Sequence, residues 1–161
     1  MKEPLRQAVR LRDQYHCCYY DVTETDIGST LTIDHIQPPG QGGDDRLENL
    51  VYCCHLCNEF KGEYWKTEPD LRLLNPLVHD RTEHFRLQED GTLLALTQRG
   101  ANHIEVLHLN RPRLVEHRVR VRFYQTREVN HLATEARAAA MEEELRGLRR
   151  QRNRRQRRRR T

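Results

Sequence analysis

The sequence predicts an α+β fold built on a small strand–loop–strand–helix core, and three observations support this prediction. Alternating apolar residues at positions 31–37 are followed by a loop rich in Pro and Gly, an apolar stretch at 50–53 and a helical stretch at 55–64. The dipeptide Asp90-Gly91, a strong hairpin turn signal, separates two further alternating segments. Both ends of the chain have helical patterns, so helices are expected to flank the core and the hairpin.

The flanking helices are predicted from apolar spacing and from proline positions. Pro4 suits the first turn of a helix over residues 4–13. A short helix is expected at residues 100–109, and a long helix from about residue 111 that includes the strong helix formers at 133–148. The chain is therefore divided into four segments: a core at 1–66, a hairpin and short-helix extension at 67–110, a long helical arm at 111–148 and a tail at 149–161.

Composition argues against a membrane or secreted protein. The 161 residues are 36% hydrophobic and 32% charged, and no apolar run approaches the length of a membrane span. The first residues lack the apolar segment of a secretory signal, so we expect a cytoplasmic protein. In that compartment the five cysteines are expected to be thiols or metal ligands rather than disulfides.

Basic charge is concentrated at the C-terminus. Residues 146–160 contain ten arginines and no acidic residue, whereas the whole chain has a net charge of only +4. The body is therefore net acidic and the tail strongly basic, which suits a nucleic-acid partner. Self-repulsion and the lack of apolar residues predict that the tail is disordered without a polyanion. The alternative is a solvated charge run without a partner, which is common at chain ends.

Three side chains of the core carry groups suited to phosphodiester hydrolysis. Asp34 and His35 are adjacent on the first predicted strand, and Asn58 lies near the start of the helix. Histidine can take a proton from water near neutral pH because its ordinary pKa is near 6.5. Carboxylate and amide oxygens are ligands that Mg²⁺ prefers. Strand alternation places Asp34 and His35 on opposite faces unless the backbone bulges.

The order of residues in the core is specific: Asp34-His35-Ile-Gln-Pro-Pro-Gly, then Asn49-Leu, then Cys54-His-Leu-Cys57-Asn58-Glu-Phe-Lys61-Gly62. This order resembles the core of the HNH, or His-Me finger, endonucleases. The resemblance implies a ββα-metal core in which His35 is the general base and Asp34 and Asn58 hold one Mg²⁺ or Mn²⁺. It also implies that Asn49 braces the loop and orients the base. The segment from residue 75 to residue 112 resembles the extension of small bacterial, notably cyanobacterial, HNH proteins.

The cysteines add a second candidate site. Many HNH proteins hold a structural zinc ion with two Cys-x-x-Cys pairs. Here Cys54 and Cys57 form the second pair, but in the first pair Cys17 is followed by Tyr20 at the position of the second thiolate. Because tyrosine replaces one of the four ligands, both zinc-bound and zinc-free arrangements are compatible with the sequence.

Three arrangements of the cysteine site are compatible with the sequence. Zinc is held by Cys17, Cys54 and Cys57 with a fourth ligand from one of Cys18, His55, Asp21 or water. Alternatively, a local shift brings Cys18 into the missing position. In the third arrangement zinc is absent, the cysteines pack as small apolar residues and Tyr20 fills the volume of the metal.

The resulting prediction is a metal-dependent endonuclease that hydrolyses DNA. The side chains expected to contact phosphate are Lys61, Arg149, Arg150, Arg154 and Arg155. One active site cuts one strand, so a monomer would nick; a homodimer, or membership of a larger nuclease or defence complex, is the further expectation. The alternative is a non-catalytic zinc-knuckle module that binds nucleic acid, but pure binding would require neither Asp34 nor His35.

Overall fold

The computed structural model describes residues 3–158, with side chains to Gly147 and at Arg150. The chain forms two units, residues 1–116 and 117–161. Its helices and strands are α1 (Glu3–Arg12), α2 (Glu24–Ile27), β1 (Thr32–His35), β2 (Leu50–Cys53), α3 (His55–Lys61), β3 (Phe85–Leu87), β4 (Leu93–Ala95), α4 (Gln98–Val106) and α5 (Pro112–Arg158). This arrangement confirms the predicted α+β class. The first unit contains both the predicted core at 1–66 and the predicted extension at 67–110.

Strands β1 and β2 form the centre of the first unit. They pair antiparallel in a regular register, with Thr32 opposite Cys53 and His35 opposite Leu50. All four residues of β2 are buried. Helix α3 follows β2 after one residue, because the Cys54 sulfur accepts the backbone N–H of Cys57 and caps the helix. The predicted strand–loop–strand–helix order is therefore present.

The end of helix α1 lies along β2 and forms hydrogen bonds with backbone groups at the outer edge of this strand. The Arg12 guanidinium donates to the carbonyl oxygens of Leu47 and Leu50, at 2.7 and 2.6 Å. The Asp13 carboxylate accepts the backbone N–H of Tyr52 at 2.7 Å. Because an unpaired buried N–H or C=O is costly, these contacts close the edge of a sheet that has only two strands.

The extension contains the predicted hairpin. Strands β3 and β4 pair antiparallel, from Phe85 opposite Ala95 to Leu87 opposite Leu93. The turn between them includes Gly91, whose φ of 84° is the left-handed conformation that glycine adopts without strain. Leu107 and Leu109, which follow α4, are fully buried in the same apolar core as β2. The extension therefore contributes to the core that supports the β1–β2 pair.

The described part of the second unit, residues 117–158, is helical and belongs to α5. The predicted long helix is present, but helix continues to Arg158, whereas the sequence analysis expects disorder from residue 149. Arginine and glutamine have favourable helix propensities, which explains the extension. Residues 159–161 of the predicted tail lie outside the described residues. Among the helices that the structure describes, none combines the length and the apolar character needed to cross a membrane.

Candidate active site and cysteine cluster

His35 is the last residue of β1, and its side chain is partly exposed. The ring nitrogen Nε2 lies 2.8 Å from Asp45 Oδ1, and 22% of the His35 side chain is accessible. The carboxylate accepts this bond, so Nε2 carries the proton and Nδ1 is the basic nitrogen of the neutral ring. Among the side chains that the structure describes, none forms a hydrogen bond to Nδ1. Asp45 therefore orients an imidazole whose free nitrogen can accept a proton.

Asn49 holds the loop that brings Asp45 to His35. Its Oδ1 accepts the Gln37 N–H at 2.8 Å, and its Nδ2 donates to the carbonyl oxygens of Gln37 and Asp44 at 3.0 and 2.8 Å. The loop is also closed tightly at Gly43, where a Cβ atom would stand 1.8 Å from the Gln37 carbonyl oxygen. The side chain of Asn49 thus joins both ends of the loop, which is the contact pattern expected of a brace.

Asp34 lies on the opposite face of β1 from His35, as strand alternation requires, and no bulge changes this. The residue is only 6% exposed. Tyr19 donates its hydroxyl to Oδ2 at 2.6 Å, and the Lys61 ammonium donates to Oδ1 at 3.1 Å. Burial raises the pKa of Asp34, and the nearby Lys61 charge opposes that rise. Both carboxylate oxygens therefore already have protein partners.

Lys61 is not placed as the sequence analysis expects. It is 3% exposed, and its ammonium donates to the carbonyl oxygen of His35 at 2.6 Å as well as to Asp34. A buried ammonium with two protein acceptors does not present its charge to a phosphate in solvent. Lys61 instead ties α3 to the end of β1, the strand that carries both candidate catalytic residues.

Asn58 lies one helical turn before Lys61 on α3, so the two side chains project from similar sides of the helix. Asn58 is half-buried, and no hydrogen bond to its side-chain amide is found among the residues described. The side chains of Asp34, His35 and Asn58 offer carboxylate oxygen, imidazole nitrogen and amide oxygen. The Asn58 amide oxygen suits a hard divalent cation such as Mg²⁺ or Mn²⁺. The structure does not bring Asp34 to the same face of β1 as His35. The Asp34 carboxylate is instead paired with Tyr19 and Lys61.

The remaining predicted contacts to nucleic acid belong to the second unit. Arg150 is exposed on α5. The side chains of Arg149, Arg154 and Arg155 lie outside the described part of the structure, although their backbone is helical. All four stay predictions.

The cysteine cluster lies beside the same helix. The sulfur atoms of Cys17, Cys54 and Cys57 are all within 4.8 Å of one another, and each residue is buried. Burial raises the pKa of Cys17 to about 12, whereas hydrogen bonds from Cys17 and Cys57 lower the pKa of Cys54. Without a cation, the cluster therefore does not favour three thiolates at once. Three buried thiols so close together fit a structural zinc ion, whose charge would stabilise the ionised form of each.

Cys53 and the other cysteine outside the cluster have different surroundings. Cys53 is fully buried on β2 and packs as part of the apolar core. The Cys18 thiol lies against the carboxylate of Asp13 and does not join the cluster. A local shift of Cys18 into the missing ligand position is therefore not observed.

Two residues of the site were missed by the sequence analysis. Asp45 was assigned only to the loop, and Tyr19 received no role. The contact of Asp45 could have been predicted, since a loop that follows the strand of His35 can place a carboxylate next to the histidine ring. Tyr19 has none, because its contact with Asp34 depends on how the segment before β1 packs against the sheet.

A comparison with protein families agrees with the placement of these elements. A family model described as HNH endonuclease matches residues 17–70, a range that contains β1, β2, α3 and the cysteine cluster. Comparisons with curated proteins and with solved structures give no match to this chain.

Proposed function

We propose, from the HNH endonuclease domain that residues 17–70 form, that this protein is a metal-dependent endonuclease that hydrolyses phosphodiester bonds in DNA. The observation that carries the proposal is the pairing of His35 with Asp45. It leaves the other ring nitrogen of His35 without a hydrogen-bond partner among the described residues. A neutral imidazole held in one orientation is suited to accept a proton from an attacking water molecule.

Asp34 and Asn58 are the residues that would hold the divalent cation. Asn58 supports this role because no hydrogen bond to its side-chain amide is found among the described residues. For Asp34 the role rests on the resemblance to HNH endonucleases, and a cation bound there would displace the Lys61 ammonium from the carboxylate. A bound Mg²⁺ or Mn²⁺ would supply Lewis-acid stabilisation of charge on the phosphate and the leaving oxygen. Asn49 serves the same chemistry indirectly, since it holds the loop that carries Asp45.

The cysteine cluster has a structural role in this proposal. Zinc at Cys17, Cys54 and Cys57 would join the segment before β1 to the start of α3. In a core with only two short strands, such a link contributes to folding directly. The cluster is distinct from the hard-ligand set because thiolates select zinc, whereas carboxylate and amide oxygens select magnesium or manganese.

DNA binding is expected to depend on charge more than on sequence. The arginines of the C-terminal segment would neutralise phosphates and release counterions, which gives affinity that falls with salt. Contacts of this kind position a protein on DNA but do not select a sequence. One His35 per chain supports nicking by a single copy, and cutting both strands would require a second copy or a second event.

The test is cleavage of supercoiled plasmid by the full chain with Mg²⁺ or Mn²⁺, with and without chelator. His35→Ala is expected to abolish metal-dependent nicking while DNA binding persists. The matched control is His55→Ala, an exposed histidine at the start of α3 that should leave nicking unchanged. Binding without cleavage by the wild-type protein under every metal would instead support a non-catalytic binding module.

A further inference from the structure

The cysteine cluster offers three donors, but a structural zinc ion takes four. Cys17 and Cys57 are fully buried and Cys54 is 4% exposed, so the donors lie inside the core. The three sulfur atoms are within 4.8 Å of one another, which is the spacing of ligands around one ion. This chain lacks the fourth cysteine that would complete two Cys-x-x-Cys pairs, because Tyr20 stands at that position. The fourth donor must therefore be a different group.

Three residues near the cluster are directed elsewhere. The Cys18 thiol is not among the sulfur atoms that cluster together. Asp21 receives two hydrogen bonds from the Arg81 guanidinium, at 2.8 and 3.0 Å. His55, the first residue of α3, is exposed. None of these three side chains is in position to complete the cluster.

Tyr20 is placed differently. Its backbone N–H donates to the Cys17 carbonyl oxygen at 3.2 Å, which forms a turn that returns residue 20 toward Cys17. The half-buried Tyr20 side chain packs against the core that contains Cys17, Cys54 and Cys57. Burial and the neighbouring Cys54 raise the pKa of its hydroxyl, and a zinc ion at the cluster would oppose that rise. The Arg111 guanidinium lies 5.1 Å from the centre of the Tyr20 ring, and this contact holds the ring in place.

We propose that the hydroxyl oxygen of Tyr20 is the fourth ligand of a zinc ion bound by Cys17, Cys54 and Cys57. This inference rests on the structural zinc of the proposed function and specifies its ligand set as three sulfur atoms and one oxygen. Three thiolates leave a net negative charge on the dication, and the Arg111 guanidinium over the Tyr20 ring partly offsets it. With Tyr20 as the fourth donor, the protein would fill all four positions of a tetrahedral zinc ion, as expected of a structural rather than a catalytic zinc.

The experiment measures metal content, cobalt spectra and X-ray absorption of the full chain. Wild-type protein is expected to bind one equivalent of Zn²⁺, with three sulfur neighbours and one oxygen neighbour at the zinc edge. Tyr20→Phe should change the visible bands of the Co²⁺ form and weaken Co²⁺ binding by roughly tenfold or more. Tyr20→Cys should give four sulfur neighbours and tighter binding. The matched control is Tyr15→Phe, an exposed tyrosine in the same segment, which should change neither property.

The outcomes distinguish failure of the Tyr20 assignment from failure of the structural zinc and of the endonuclease proposal. If Tyr20→Phe keeps the cobalt bands and affinity of the wild type, while circular dichroism shows the same fold, the fourth donor is water and the inference is wrong. If wild-type protein binds no zinc, both the structural zinc and its proposed ligand are wrong. If zinc binds as expected but plasmid is not cleaved with Mg²⁺ or Mn²⁺, the endonuclease proposal fails and the ligand assignment stands.

Discussion

At the residue scale, the contact between His35 and Asp45 determines which ring nitrogen is basic. Asp45→Asn replaces a carboxylate acceptor by an amide that can present either a donor or an acceptor, so the imidazole loses its fixed orientation. We expect kcat to fall by about 10- to 100-fold, by analogy with the loss that follows removal of a group orienting a metal-bound histidine. Single-turnover nicking at saturating DNA measures this loss.

Asp44→Asn is the matched control for Asp45. The Asp44 carboxylate pairs with Arg46 and does not contact His35, so its variant should cleave at the wild-type rate. Equal rates for the two variants would show that the carboxylate of Asp45 does not position the histidine.

The buried pair of Asp34 and Lys61 gives a prediction about stability. Lys61→Met removes the ammonium and leaves the Asp34 carboxylate buried with only the Tyr19 hydroxyl as partner. We expect the free energy of unfolding to fall by about 3 kcal/mol, because the remaining charge is uncompensated. Urea denaturation measures it.

The double variant Asp34→Asn/Lys61→Met should recover part of the loss, since no buried charge remains. Lys66→Met, at an exposed lysine, should have no effect. A Lys61→Met protein as stable as the wild type would contradict the account of Lys61 as a link between α3 and β1.

Among the predicted site residues, those named from the motif lie near the end of β1 or on α3, but their partners were not predictable. His35 and Asn58 could be named because their chemistry and order in the chain are specific. The burial of Lys61 could not, since a lysine one turn after Asn58 is equally compatible with solvent. Its position depends on α3 packing against β1, which brings the Asp34 carboxylate within reach.

At the scale of elements, a buried histidine connects α4 to the segment that precedes β3. His103 is 1% exposed; its Nδ1 accepts the Leu74 N–H at 3.2 Å, and its ring stacks on Phe85 with centroids 6.0 Å apart. The Nε2 atom is buried and lacks a hydrogen-bond partner among the described residues. Burial lowers the pKa of His103 from 6.5 to about 3, so the folded protein keeps this ring neutral.

This histidine predicts a loss of stability in acid. The unfolded chain takes up a proton near pH 6.5, whereas the folded chain does so only near pH 3, so stability falls as the pH decreases through this range. Between pH 7 and pH 5 the contribution of His103 is about 2 kcal/mol. Urea midpoints at both pH values measure it, and His103→Gln should show a smaller difference between them. His55→Gln, at an exposed histidine, is the control; a His103→Gln protein with the same pH dependence as the wild type would refute the explanation.

The element boundaries show where local sequence signals are sufficient. β2 and the first residue of α3 agree with the prediction, because a short apolar stretch and a capping position are local features. The predicted strand at 31–37 is shorter in the structure, Thr32–His35, since Asn49 takes the backbone groups of Gln37 for the loop. The closure of the β2 edge by Arg12 and Asp13 was not predictable, because it depends on how α1 packs.

At the scale of the whole molecule, catalysis and general DNA affinity are assigned to different segments. Deletion of residues after Gly147 removes nine arginines. Binding should weaken, and the slope of log affinity against log salt should flatten by at most about 8, since each phosphate contact contributes about 0.9. Fluorescence anisotropy over a salt series measures both effects.

The rate of nicking at saturating DNA is the control for this deletion, and it should remain at the wild-type value because His35, Asp34 and Asn58 are retained. If the truncated protein binds DNA as tightly as the wild type, the C-terminal arginines do not contribute to DNA affinity. A truncated protein that binds but no longer cleaves would show that the C-terminal segment is needed for the chemistry itself.

The organisation of the molecule was predictable in part. The basic segment was visible in the sequence because charge is a compositional property, and the order of its helices followed from apolar spacing. The helical state of residues 149–158 was not expected, since self-repulsion of arginines was weighed above their helix propensity. The core and the extension form one unit because Leu107 and Leu109 pack in the central apolar core. No local sequence pattern specifies this packing.

The most direct test of the central claim is chemical rescue of a variant without the imidazole. His35→Gly is expected to bind plasmid but not to nick it with Mn²⁺, and added imidazole should restore a measurable fraction of the rate because it can accept the proton in place of the side chain. His55→Gly should cleave normally with or without imidazole. A His35→Gly protein that nicks plasmid at the wild-type rate without imidazole would contradict the assignment of His35 as the general base.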